Sequence, residues 1–260
     1  MLLEISNINT ALSNALRRTM IADVPTYAIE VVSILKNNSI FNDEILAHRL
    51  GLIPLKVLKD STGHKINLKI KFNKNLCCIN DIHTVYANDL EYDRSVYQIE
   101  PNIIIIKLAK GHEIDLETTI CKGTGYEHAK WSPVCTASYR ENETKKSYTF
   151  TIETNGSMDP LDVFNEAIQI LKKKIFSFIN PSVQQTEGTI EKIFKDENHT
   201  LAILLQHYLL NDSNVLYAAY SVPDPLDKTM YLKYILKDYT IDSYTKCLES
   251  IVVDLDNLRQ

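Results

Sequence analysis

Two stretches of the chain repeat one pattern of apolar and polar positions, about 190 residues apart. Residues 10–30 read TALSNALRRTMIADVPTYAIE and residues 200–220 read TLAILLQHYLLNDSNVLYAAY. Leu12 falls on Leu201, Leu16 on Leu205, Met20 on Leu209 and Asp23 on Asp212. Each copy predicts a one-sided helix, a polar turn and a short strand. Each is later followed by one more strand and a long helix whose apolar positions alternate in spacing between three and four residues. In the first half these are Phe164, Ile168, Leu171, Ile175 and Phe178; in the second they are Ile241, Tyr244, Leu248, Ile251, Leu255 and Leu258. Such seams suit helix-on-helix packing. A unit with one apolar face cannot bury it alone, so two in one chain predict that each covers the other.

The pattern between these landmarks gives an ordered set of elements. The helix of residues 10–22 places Leu12, Ala15, Leu16, Thr19 and Met20 on one face, with Asn9 or Thr10 as cap and Pro25 as stop. Residues 26–35 read as a strand. Residues 42–51 read as a short helix capped by Asn42, with acids in its first turn and Gly51 at its end. Residues 56–145 carry short strand-like runs at 66–72 and 102–109 between polar turns, which predicts a strand-rich insert with its own small core. Strand 147–154 leads to a helix opened by Asp159-Pro160 and stopped by Asn180-Pro181. Residues 181–188 read as a polar linker. Beyond it come strand 189–195, a helix with Leu201, Leu204, Leu205, Tyr208 and Leu209 on one face, strands 215–222 and 229–236, and the last helix. The expected domains are 1–55 with 146–180, the insert 56–145, the linker 181–188 and a second unit 189–260.

Composition narrows the function classes. The chain has 260 residues, 45% hydrophobic and 23% charged, as in an ordinary globular protein with a sizeable core. A net charge of −5 with no basic tail argues against a chain whose main task is to grip nucleic acid. Five irregularly spaced cysteines do not form a disulfide framework, which suits a reducing compartment. The opening MLLEISNINT lacks the basic region of a secretory leader. No stretch approaches the ~20 apolar residues of a membrane span. An intracellular protein without membrane contact is expected.

Three blocks then resemble a family. Asn14-Ala15-Leu16-Arg17-Arg18 with Ile21-Ala22-Asp23-Val24-Pro25-Thr26-Tyr27-Ala28-Ile29 is the first. Asp43-Glu44 with Ala47-His48-Arg49-Leu50-Gly51-Leu52-Ile53-Pro54-Leu55 is the second, and Gly123-Thr124-Gly125-Tyr126-Glu127-His128-Ala129-Lys130-Trp131-Ser132-Pro133-Val134 the third. In this order they resemble the dimerisation domain of the D subunit of archaeal RNA polymerase, with the eukaryotic third-largest subunit and bacterial alpha as its equivalents. Tyr126 stands where the family often has Lys. Residues 187–260 resemble the partner of that subunit, the archaeal L subunit or its eukaryotic eleventh-subunit counterpart. The carriers are Asn198-His199-Thr200-Leu201, Leu204-Leu205, Tyr217-Ala218-Ala219-Tyr220 and Pro223-Asp224-Pro225-Leu226, with Ala202-Ile203 and Asp224 departing from the family's Gly-Asn and His. The chain thus looks like a fusion of two normally separate subunits, as in polymerases of large cytoplasmic DNA viruses. A viral source would place it in the cytoplasm or nucleus of a host, or in the virion. The first family strand is mostly missing. Adjacent Cys77 and Cys78 have no second pair nearby, so the four-cysteine site of some relatives is not expected.

The resemblance implies an α+β fold: two alpha-subunit-like dimerisation units packed as an intramolecular pseudo-dimer, the first carrying the strand-rich insert. Its core is expected from Leu12, Leu16, Met20, Phe164, Ile168, Leu171, Ile175, Leu201, Leu205, Leu248, Ile251 and Leu255. It implies a non-catalytic assembly platform of a DNA-dependent RNA polymerase. The partners are the second-largest subunit, then the largest, with small zinc-binding subunits. No cofactor and no direct sequence-specific nucleic-acid binding are expected. Docking is expected at Arg17, Arg18, His48, Arg49, Glu127, His128, Lys130 and Trp131, since arginine and tryptophan favour interfaces. Gln206 and His207 occupy the arginine positions in the second copy, so the docking surface should be one-sided. Read without the family, the arginines form a solvated helix face and Trp131 a core or interface anchor. His112, Cys121, His128 and Cys135 lack the close pairing of a zinc site. No nucleophile–base pair or acid dyad stands beside His128 and Lys130. The rivals are a stand-alone enzyme with its site in the insert and a free decoy that sequesters polymerase subunits.

Overall fold

The computed structural model describes residues 1–58, 65–71, 82–142, 147–179, 182–186, 188–224, 226 and 229–258. Cys77, Cys78, Asn180, Pro181 and Pro225 lie outside these. The elements begin with β1 (Leu2–Ser6), α1 (Thr10–Ala22), β2 (Pro25–Asn37), α2 (Asp43–Gly51), β3 (Lys56–Val57), β4 (Lys65–Lys71), β5 (Ile82–Tyr86) and β6 (Tyr97–Gln98). They continue with β7 (Ile104–Ala109), β8 (Glu113–Thr124), β9 (Val134–Asn142), β10 (Ser147–Thr154) and α3 (Pro160–Ser177). The second half holds β11 (Ser182–Thr186), β12 (Thr189–Lys195), α4 (His199–Leu210), β13 (Val215–Ser221), β14 (Thr229–Leu236) and α5 (Ser243–Asn257).

Two compact units form. The first comprises Met1–Asp23, Thr136–Glu153 and Pro160–Gln260. Its four helices close a ring: α1 packs on α3 and α4, and α5 packs on α3 and α4. All twelve residues expected in the core are buried, from Leu12, Leu16 and Met20 on α1 to Leu248, Ile251 and Leu255 on α5. Burying a side chain of this size contributes roughly 1.5–3 kcal/mol. The ring is flanked by a sheet from each half, ordered β1-β10-β9 and β11-β12-β14-β13. The fold is therefore α+β, with two dimerisation units paired inside one chain.

The halves share more than their helices. Ile5 of β1 lies opposite Tyr148 of β10, and Phe194 of β12 opposite Met230 of β14, both antiparallel. After β1 and after β12 the chain turns through one left-handed residue, Asn7 (φ 60°) or Asp196 (φ 61°). Each turn delivers an asparagine cap: Asn9 Oδ1 accepts from Leu12 N at 2.8 Å, and Asn198 Oδ1 from Thr200 N at 2.9 Å. The chain's own first strand is formed by the LLEIS segment.

Several local expectations change. The stretch expected as a linker contains β11, an edge strand whose Val183 lies opposite Lys192. Asn42 makes no side-chain cap hydrogen bond to α2, where Asp43 and Glu44 already favour the N-terminus. Ile241 precedes α5, because Asp242 caps it by accepting from Thr245 N at 3.1 Å.

The second unit comprises Val24–Cys135 and Thr154–Asp159. It begins earlier than the residue 56 expected for the insert. The reason is β8, which pairs with β2 on one side and β4 on the other. Pairing along β2, from Pro25 opposite Thr124 to Asn37 opposite Ile114, draws that strand into this unit. Smaller pairs β3-β6 and β5-β7 complete its sheets. Its core gathers Leu46 and Leu50 of α2 with Ile106, Leu108, Ile114 and Leu116, among others.

Candidate functional site

In the first unit, chemistry concentrates on the polar ties between the two halves. Arg18 Nε donates to Thr200 Oγ1 at 2.7 Å. Lys174 of α3 lies 3.3 Å from Asp23 and 3.8 Å from Glu197. Lys172 pairs with Asp256 of α5. Tyr244 donates its hydroxyl to the Phe178 carbonyl at 2.9 Å. Within the second half, Tyr208 of α4 pairs with Asp254 of α5, and burial first, then this carboxylate, raises its phenol above the usual value. The apolar seam is legible in the sequence; these ties are not. The one signal is a run of three lysines, Lys172 to Lys174, directly after the seam residue Leu171.

These groups are structural fasteners rather than reactive centres. Cys247 is buried, its thiol points to the Leu205 carbonyl at 3.8 Å, and burial pushes its pKa up to about 12. A thiol so protonated is a poor nucleophile near neutral pH. Among the described residues no three His, Cys, Asp or Glu side chains gather as a metal-ion site.

The expected docking residues fall in different settings. Arg17 is half-buried and donates to Asn14 Oδ1 at 3.1 and 3.0 Å; Arg18 is exposed but tied to Thr200. In the second unit Arg49 donates to the backbone carbonyls of Ile105 and Ile104, both at 2.8 Å. His48 beside it is exposed.

The GTGYEHAKW segment folds around its tryptophan. Trp131 is buried and donates from Nε1 to the Cys121 carbonyl at 3.2 Å. Thr26 Oγ1 donates to the Trp131 carbonyl at 2.6 Å. A Cβ on Gly123 would lie 2.5 Å from the indole ring, so only glycine lets the ring seat on β8. Lys130 donates to the Ile29 carbonyl at 3.1 Å, pairs with Glu30 and lies 4.4 Å over the indole. Lys130 and Trp131 therefore hold the loop to β2 and β8. Glu127 Oε2 accepts from Thr124 N at 2.9 Å and His128 Nδ1 from Lys130 N at 3.1 Å, closing the turn. Both side chains remain exposed.

Two helix–strand units closed on each other define a dimerisation module that here pairs within one chain. The chain belongs to the RNA polymerase Rpb3/Rpb11 dimerisation domain family, which matches it twice in tandem, over residues 3–175 and 189–260. It is 42% identical over 167 residues to the DNA-directed RNA polymerase subunit Rpo3 of Methanocaldococcus jannaschii, covering 64% of this chain and 82% of that protein. It is 35% identical over 175 residues to the RPAC1 subunit of DNA-directed RNA polymerases I and III of Saccharomyces cerevisiae, covering 53% and 52%. It is 38% identical over 162 residues to the DNA-directed RNA polymerase II subunit rpb3 of Dictyostelium discoideum, covering 52% of each. The chain spans about half the length of these eukaryotic relatives. Among the described residues, no helix is long and apolar enough to cross a membrane.

Proposed function

We propose that this chain is a non-catalytic assembly subunit of a multisubunit DNA-dependent RNA polymerase, joining a D-type and an L-type half in one polypeptide. The observation that carries the reading is the four-helix ring made by the two tandem family domains. Pairing that separate chains would make by collision is made here within one chain. Linkage of this kind sets an effective concentration on the order of millimolar and fixes the stoichiometry at one to one. The surface left over recruits the second-largest subunit and then the largest, with small zinc-binding subunits alongside.

In the first unit Arg18 is exposed and Arg17 half-buried; in the second His48, Arg49, Glu127 and His128 are exposed, and each unit offers its own side chains to a partner. Within the second unit, Arg49 anchors α2 through the Ile104 and Ile105 carbonyls, and Lys130 and Trp131 hold the loop that carries Glu127 and His128. The test is co-expression with the second-largest subunit and recovery through this chain, for wild type and Arg17→Glu with His48→Glu. Recovery of the partner by wild type and at least a tenfold loss in the variant, with unchanged melting, is expected. Equal recovery removes these two residues from the docking surface. No recovery by wild type overturns the assembly reading.

A further inference from the structure

The α3–α5 seam is closed differently at its two ends. Equivalent seam positions pair Phe164 with Tyr244, Ile168 with Leu248, Leu171 with Ile251 and Ile175 with Leu255 in the sequence pattern. On the same overlay Asp256 corresponds to Phe176, Lys172 to Val252 and Lys173 to Val253. At one end Lys172 and Asp256 meet as an ion pair. At the other, Phe176 and Val252 line an open groove of about 320 Å3 with Ile179 and Val253. Its floor is Ile175 and Leu248, both buried in the seam. Phe176, Ile179 and Val253 are 56%, 53% and 57% exposed, which leaves a contiguous apolar surface in water. The fold thus contains its own comparison: one position carries an ion pair whose lysine is buried, and its pseudo-symmetric mate carries exposed aromatic and branched side chains.

We propose that this groove is the docking site for an amphipathic helix of a second polymerase subunit, one that presents two or three aliphatic or aromatic side chains and a Lys or Arg. The proposal rests on the assembly reading above. Three features select this occupant. The groove continues the helix-packing seam, so a further helix extends an interface already built from interlocking apolar side chains. It runs along α5 from Thr245 to Val253, about two helical turns, or roughly 12 Å. Among the described residues lining it, Glu249 alone carries a charge, and it is exposed. That carboxylate favours a basic residue on the incoming helix. A second copy of this chain docked about a two-fold axis would instead bring Glu249 against Glu249.

The experiment uses the full chain co-expressed with the other subunits of the polymerase from the same source, purified through this chain. Phe176→Asp with Val252→Lys transplants the ion pair of the opposite end into the groove. The double variant is expected to melt cooperatively within a few degrees of wild type and to lose one subunit at least tenfold. A parallel arm carries a benzophenone amino acid in place of Phe176 in the otherwise unchanged chain. Its crosslink is expected on a helical segment of another subunit that contains Lys or Arg. A full subunit set on the variant, or no crosslink to any other subunit, overturns the proposal. So does a wild-type chain that dimerises alone while the variant is monomeric, which would make the groove a self-association surface. If wild type retains no polymerase subunit at all, the assembly reading itself fails and this proposal with it.

Discussion

Asn7 and Asp196 occupy one turn written twice. Each takes a left-handed backbone, φ 60° and 61°, between an antiparallel strand and an asparagine-capped helix. The overlay that sets Leu12 on Leu201 sets Asn7 on Asp196 and Asn9 on Asn198. Short polar side chains tolerate this backbone better than branched ones, which clash with their own carbonyl. The repeat thus extends from the helix back through its cap to the strand that feeds it.

The turn sets a first expectation. Asn7→Val or Asp196→Val should each cost about 1–2 kcal/mol, the usual penalty for a branched residue in this region. Glycine at either position should stay near wild type. Urea denaturation reads this as a lower midpoint at constant slope for valine and little change for glycine. Equal midpoints for valine and glycine would show that the turn relaxes without strain.

A second expectation concerns Trp131 and Gly123. Since a Cβ would meet the indole at 2.5 Å, Gly123→Ala must displace the ring or bend β8. Overpacking of this kind costs about 1–3 kcal/mol. Tryptophan fluorescence, from the single Trp of the chain, should shift red as the ring loses its seat. An unshifted spectrum with unchanged melting would mean that the ring does not depend on Gly123.

Two residues on the buried face of α1 should respond with opposite signs. Leu16 is fully buried in the helix ring, so Leu16→Ala should cost roughly 2–5 kcal/mol through lost contacts and a cavity. Thr19 is equally buried, but among the described residues its hydroxyl oxygen has no hydrogen-bond partner. Thr19→Val removes that desolvated group at nearly constant volume and should leave the melting temperature equal or higher. A large drop for valine would reveal a partner for the hydroxyl.

Glu197 gives a pH expectation. Burial lifts its carboxyl above the usual range; Lys174 offsets part of this, while Asp23 pushes the same way. The folded chain therefore holds the proton more tightly than the unfolded chain. The stabilisation from this group is complete below the unfolded value, about 4.3, and is lost as pH rises through the raised folded one. Glu197→Gln should melt like wild type near pH 4 and above it near pH 7. A difference that stays constant across this range would contradict the assignment.

Much of this arrangement was legible because period reports burial. The alternating strand of residues 229–236 buries Met230, Leu232, Tyr234 and Leu236, and the long-helix seams bury every position read from 164 to 178 and from 244 to 258. The strand inside the expected linker was not legible. β11 pairs along β12 through backbone hydrogen bonds, which polar residues make as well as apolar ones. β8, which organises the second unit, does carry a period-two signal in Ile114, Leu116 and Ile120, all buried, so this strand was legible in the pattern although it is absent from the expected elements. The roles of Arg49, Lys130 and Trp131 depended on which carbonyls lay within reach, and spacing in the chain carries no such information.

By itself, then, the sequence determined the helices and their apolar faces, the duplicated unit and the need of each half for the other. Those follow from local periodicity and from the cost of leaving apolar surface in water. Tertiary structure decided which strand joined which unit, which lysine met which acid across the seam, and that one end of the seam closed by an ion pair while the other stayed apolar. Such choices turn on distances of a few ångströms between residues far apart in the chain, and only the folded arrangement sets those distances.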